Sequence, residues 1–342
     1  MSLATIKWMN FDQLCQALRD LAAPTVLVIV DEHLWPIYKE KLPLEGLSDK
    51  EIYIWRAASG ENTKNLTEYT RCLEFFLEKN IRRDALVLAF GGGAVQDFAG
   101  MVAATLLGGI AWIALPTTLV AMAYPPLQGR GALNSRFGEN LMGLTYPPQE
   151  IWLNLEFIKT LAPQEKQSGA GELLRQAFLS DAVAQAILRQ APLAEQISLA
   201  LAMQGDLLEN HPAQAPLLEL GSLLQRALEK TYSLSYAAAL AEGLYLTFCL
   251  KHADDLRTRW QQLQKILLPD LSPRPWSVGG FSAKKILAYL QRDKQAWRGD
   301  QITLILPQGD YFAPQAMTFA QLENAFNSLR PEELLDREAA WA

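Results

Sequence analysis

Between an apolar run, Ala85–Phe90, and a helical stretch the chain reads Gly91-Gly92-Gly93-Ala94-Val95-Gln96-Asp97. Glycines at a strand-to-helix turn let backbone N–H groups approach a pyrophosphate, and a helix N-terminus favours the anion. The pattern is not Gly-x-Gly-x-x-Gly, so a tight strand-to-helix turn explains it nearly as well on its own. Metal chemistry has less to work with. Histidine is scarce: His33, His211 and His252 lie far apart and form no metal-binding pair. Cys15, Cys72 and Cys249 are odd in number with no Cys-x-x-Cys, which argues against a disulfide framework or a zinc ribbon and for a reducing cytoplasm.

The elements that must position the glycine turn alternate. Thr25–Asp31 reads as a strand buried on both faces, Glu51–Arg56 as a second, Ala85–Phe90 as a third and Ile110–Leu115 as a fourth. Helical periodicity covers about 62–79 and 94–107. Alternation of this kind predicts a doubly wound parallel sheet of Rossmann-like type. Residues 116 to about 150 are rich in Pro, Gly and Asn and read as a long functional loop. After Ile151–Leu155 helical periodicity dominates, as in Ser168–Gln190 and Leu234–Leu250, with one short strand at Gln301–Leu306. The expected organisation is an α/β N-terminal domain over 1–158 and an all-α C-terminal domain over 159–342.

Composition narrows the partners. With 31 Lys+Arg against 37 Asp+Glu in 342 residues, the chain has no basic cluster to hold nucleic acid. The uncharged window from Phe98 to Gly129 is broken by Gly108-Gly109, Pro116 and Pro125-Pro126, so it reads as a buried helix, strand and loop, not a membrane span. The N-terminal stretch MSLATIKWMN lacks a signal-peptide core. A soluble, cytoplasmic protein is expected.

Further motifs occur in order with the glycine turn: Gly60-Glu61-Asn62-Thr63-Lys64 before it, then Pro116-Thr117-Thr118-Leu119, Gly138-Glu139-Asn140-Leu141-Met142-Gly143 and Ser168-Gly169-Ala170-Gly171-Glu172. Together they resemble the 3-dehydroquinate synthase family and its sugar-phosphate cyclase relatives, nearly continuously from about residue 20 to 182 and more weakly through Gly221, Gly243 and Asp293-Lys294. The resemblance implies a bound NAD, a divalent metal (usually zinc) and cyclisation of a heptulosonate 7-phosphate to 3-dehydroquinate, a carbon–oxygen lyase reaction of the shikimate pathway that serves aromatic amino acid biosynthesis. It places Glu61, Lys64, Gly92, Gly93, Asp97, Thr117, Thr118, Phe157, Thr160, Leu161 and Glu165 at cofactor positions. Glu172, Arg175, Asn140, Arg130 and Lys294 fall on its catalytic positions.

Several of the implied positions are changed. Tyr124-Pro125-Pro126 stands where the family has Asp-Ser-Ser. Of three metal ligands only Glu172 remains, because Ser222 and Tyr236 replace histidines; Arg226 replaces a further one. A tyrosine must lose a proton of pKa ~10 to compete as a ligand. Four implied cations become Arg130, Glu139, Arg175 and Ala215, Glu219 replaces a neutral asparagine, and Gln295 replaces a lysine. These changes predict a member that binds NAD, lacks zinc and is catalytically inactive or altered. The alternatives are an active 3-dehydroquinate synthase with an unusual site, and a non-catalytic regulatory subunit of a catalytic paralogue. A homodimer is the expected assembly.

Overall fold

The computed structural model describes residues 3–45, 47, 49–124, 127, 129–271, 281–294 and 296–329. Pro125, Pro126 and Gln295 lie outside them. By compactness the chain divides into Met1–Lys166 and Gln167–Ala342.

In the first unit the elements run β1 (Thr5–Trp8), α1 (Phe11–Arg19), β2 (Thr25–Asp31), α2 (Trp35–Tyr38), β3 (Glu51–Ala57), α3 (Leu66–Leu77), β4 (Leu86–Gly91), α4 (Gly93–Thr105), β5 (Ala111–Pro116), α5 (Leu119–Ala123), β6 (Arg130–Ser135), β7 (Gly138–Thr145) and β8 (Glu150–Leu153). Six strands form one sheet in the order β1-β8-β5-β4-β2-β3. Every pairing in it is parallel. The central strands explain this: Val26–Val30 of β2 and all six residues of β4 are buried, as strands covered on both faces must be. The chain leaves β2 toward β3 and leaves β4 toward β5, so the order reverses between β2 and β4. Ligands of open α/β sheets bind beyond the carboxyl ends of the strands at such a point, and the glycine turn is the carboxyl end of β4.

The segment 116–150, expected as a loop, is a correction. It holds α5 and an antiparallel hairpin, β6–β7, paired from Arg130↔Thr145 to Ser135↔Gly138. Its glycines and asparagines carry low strand propensity, yet its glycines allow close backbone approaches, Gly131 to α4 and Gly143 within the hairpin. A Cβ added at Gly131 would come within 2.8 Å of the Met101 backbone nitrogen, and one at Gly143 within 2.7 Å of the Gly131 carbonyl oxygen. The short edge strand β1, with four residues, also escaped the sequence reading because its pattern is too brief to score.

The second unit, which starts at the second turn of α6 (Pro163–Leu179), is mostly helical: α7 (Asp181–Leu188), α8 (Leu193–Glu209), α9 (Ser222–Tyr232), α10 (Tyr236–Cys249), α11 (Asp254–Leu267), α12 (Ala283–Leu290) and α13 (Phe319–Asn327). The helix expected over 168–190 is two, because Ser180 ends the first and caps α7 by accepting from the Val183 amide. The expected strand near Gln301 is β10 (Gln301–Gln308), and it pairs with β9 (Trp297–Arg298) and β11 (Tyr311–Thr318) in a small antiparallel sheet absent from the sequence reading. Pro314 hides β11 from that reading and is tolerated because the strand is an edge. Among the described residues no helix is long and apolar enough to cross a membrane.

Gly131→Ala should push β6 away from α4 and lower unfolding free energy by roughly 1–3 kcal/mol. A denaturant midpoint unchanged from the parent would refute this packing account.

Candidate functional site

In the first unit, Gly92 is the N-cap of α4 and no side chain caps that end, so the amides of the first turn are left to a ligand or to water. No acidic residue occupies that turn. Gln96, buried behind it, donates from Nε2 to the carbonyls of Ala89 and Gly91, both at 3.0 Å, and the Thr117 amide donates to Gly91 at 3.1 Å. Thr118 caps α5, accepting from the Ala121 amide at 3.2 Å, and its methyl lies 2.9 Å from where a Cβ on Gly92 would sit. Packing therefore accounts for Gly92 and for its threonine partner. It does not account for Gly93. A Cβ there meets nothing within 4 Å, so that glycine faces open space at the helix N-terminus. A phosphate group fits this turn.

Beside the turn a charged network assembles from residues distant in sequence. Lys64 is 1% exposed, and its ammonium donates to Asp97 Oδ2 at 2.8 Å and to Asn140 Oδ1. Arg130 donates to the same Asp97 oxygen at 3.1 Å. Glu61 lies 3.4 Å from the Lys64 ammonium and accepts from Asn134 Nδ2 at 2.7 Å. Asn134 also accepts from the Asn140 amide at 2.7 Å, which holds Asn140 at a left-handed φ of 54°. Asn134 and Gln96 escaped the sequence reading: the first lay in a segment taken as loop, and a glutamine near a helix start carries no signal of burial.

The remaining cofactor positions differ in what they offer. Phe157 is buried in an aromatic cluster with Tyr38 (centroids 5.1 Å apart) and Phe90 (5.3 Å), directly under the strand end that leads into the glycines. Thr160 pairs with the Tyr38 hydroxyl at 3.1 Å, and Leu161 closes the short 3-10 turn that carries it. Glu165 accepts from the Ala162 amide at 3.0 Å at the start of α6.

In the second unit, Glu172 on α6 is fully buried. The hydroxyl of Tyr236, first residue of α10, donates to Glu172 Oε1. Arg175, one turn along α6, lies 3.4 Å from the same oxygen and donates to the Leu218 carbonyl at 3.1 Å and to Gln225 Oε1 at 3.2 Å. Burial pushes the Tyr236 phenol far above its ordinary range, and the negative charge of Glu172 adds to this. The phenol therefore stays a neutral donor. Ser222, at the start of α9, is another neutral hydroxyl. To a divalent cation the described surroundings of Glu172 offer one carboxylate, its Oε1 accepting from a neutral phenol and its Oε2 buried without a partner, and a guanidinium that repels a cation. Among the described residues no group of three His, Cys, Asp or Glu could hold one. His211 lies elsewhere, 3.7 Å from Asp206. Arg226, at a further implied histidine position, lies 3.3 Å from Asp293. Lys294, Glu139 and Glu219 are exposed.

Solved structures share the fold of this chain over almost its whole length. 2-Deoxy-scyllo-inosose synthase, complexed with carbaglucose-6-phosphate, NAD+ and Co2+, superposes with a TM-score of 0.79 at 19% identity, covering 95% of this chain and 96% of its own. A 2-epi-5-epi-valiolone synthase from Streptomyces hygroscopicus with NAD+ and Zn2+ bound reaches 0.73 at 21% identity, covering 96% and 97%. The chain shares the fold of these two enzymes. In sequence, the family described as 3-dehydroquinate synthase N-terminal matches residues 54–168. The 3-dehydroquinate synthase of Dichelobacter nodosus is 36% identical over 160 residues, 47% of this chain and 43% of its own, and that of Staphylococcus saprophyticus is 37% identical over 173 residues, 50% and 47%. The chain matches less than half the length of these curated relatives. Over this N-terminal half it is similar to 3-dehydroquinate synthases.

Tyr236→Phe leaves Glu172 Oε1 without its hydroxyl donor and should cost about 1–3 kcal/mol of stability. An equal melting temperature for parent and variant would show that the bond contributes nothing.

Proposed function

We propose that this chain is a 3-dehydroquinate synthase-like protein that binds NAD at the glycine turn and does not perform the metal-dependent cyclisation of its relatives. The observation that carries the reading is the Tyr236 hydroxyl bonded to Glu172 with Arg175 alongside: Oε1 of the only carboxylate at the family's metal position already accepts from an internal donor, and a guanidinium lies 3.4 Å from it. Support for the nucleotide comes from the open space over Gly93, the uncapped start of α4, and the NAD+ held by the two solved relatives named above.

In this reading the amides of Gly93 and its neighbours take the pyrophosphate. Glu61 and Asp97, oriented by Asn134 and Lys64, are the carboxylates available to sugar hydroxyls. The buried Lys64 and the half-exposed Arg130 set a positive charge beside them. NAD, when bound, would supply a hydride acceptor. Phe157, Tyr38 and Phe90 keep the underside of the turn dry and rigid.

A coupled assay of the purified chain with NAD, zinc or cobalt and a heptulosonate 7-phosphate should release phosphate at background rate, and the protein should carry no stoichiometric zinc. Sustained turnover would restore the reading as an active synthase. NAD at a hundredfold its dissociation constant should add about 2.7 kcal/mol of stability, seen as a higher melting temperature. Gly93→Ala should keep the unliganded melting temperature and weaken NAD by at least about tenfold, because its methyl enters the open space over the turn. No NAD shift in the parent chain would return the turn to a purely structural part.

A further inference from the structure

On the outer strand of the parallel sheet lies a second cavity, of about 590 Å³. Trp35, Leu44 and Leu47 line it and are themselves buried. Tyr53 and Phe75 add aromatic surface. Its charged lining is of one sign: Lys50, Arg56 and Lys79, with no carboxylate among the described lining residues. In a chain with more acid than base this is an unexpected local excess.

The cations are placed by the apolar surface they share. The Arg56 guanidinium lies 5.6 Å from the Trp35 ring centre, and the Lys79 ammonium 5.1 Å from that of Phe75. Neither makes an ion pair with a described carboxylate. Lys50 is the most committed of the three: its side chain is 7% exposed, and its one ion pair, at 2.9 Å, goes to Asp49, which is 69% exposed and free to be replaced. An apolar floor with cations in the same lining suits an amphipathic anion, and the volume suits one small molecule.

We propose that this cavity binds a small organic anion: an aromatic or branched apolar body in the cleft, with a carboxylate or phosphate meeting Lys50, Arg56 and Lys79. The site is distinct from the glycine turn, being centred on β3, two strands from β4, and it does not depend on NAD binding.

The test uses the whole chain and two probes of the same shape. Naphthalene-2-carboxylate, titrated calorimetrically, should bind one site with a dissociation constant below about 1 mM, and the neutral naphthalene-2-carboxamide at least about tenfold more weakly. Raising sodium chloride from about 0.05 to 0.5 M should weaken the carboxylate and leave the amide unchanged. The double variant Arg56→Gln/Lys79→Gln, checked for an unaltered melting temperature, should lose about tenfold in carboxylate affinity. The proposal is overturned by no carboxylate binding at millimolar concentration, by equal affinities for the two probes, or by binding that ignores both salt and the substitutions. The phosphate source is separated from the carboxylate by repeating the titration with naphthyl phosphate. Tighter binding of the ester assigns the anion to phosphate, and tighter binding of the acid assigns it to carboxylate.

Discussion

An ammonium withdrawn from water has to be neutralised and hydrogen-bonded, and Lys64 meets that demand with partners drawn from three separate parts of the first unit. Asp97 comes from the second turn of α4, Asn140 from the hairpin, and Glu61 from the 3-10 turn that precedes Lys64 itself. The buried charge ties these pieces together, since a shift of any one of them would leave a charge unpaired in a poorly hydrated place. Removing one partner of such a pair costs about 3–5 kcal/mol, which is a large part of a typical folding free energy.

The second unit solves a different electrostatic problem. Glu172 is an anion with no access to solvent, and what balances it comes from its own helix and from α10: a guanidinium one turn away and a phenol held protonated by burial. Arg175 in turn is fixed by the Leu218 carbonyl and by Gln225. The phenol and the guanidinium meet Glu172 Oε1, while Oε2 is buried without a partner among the described residues.

The sequence made the central strands plain, because an unbroken apolar run such as Thr25–Asp31 has few other uses. The glycine turn was visible for the same reason: its neighbours on both sides were unambiguous. What stayed hidden had weak local signals and strong distant ones. The hairpin β6–β7 is built from Gly, Asn and Arg residues that read as loop, and only its fit against α4 makes it a strand pair. Asn134, bonded to Glu61, Asn140 and Lys64, belongs to that hairpin and was lost with it. The neutral state of Tyr236 was likewise foreseeable only as a preference. Its firmness comes from burial beside Glu172, which no spacing reveals.

The glycine contact between α4 and the hairpin also bears on how such a chain can change over evolutionary time. Gly131 sets the approach to α4 through backbone atoms and Asn140 ties the hairpin to Lys64, so its position rests on its inward residues. Its outward residues, Glu139 and Phe137 among them, can drift in charge and size without moving the strands that carry them. Mutational tolerance along these strands should therefore be sharply divided, with near-intolerant glycines flanked by freely variable positions. A scaffold of that kind can exchange one ligand chemistry for another while its architecture stays recognisable.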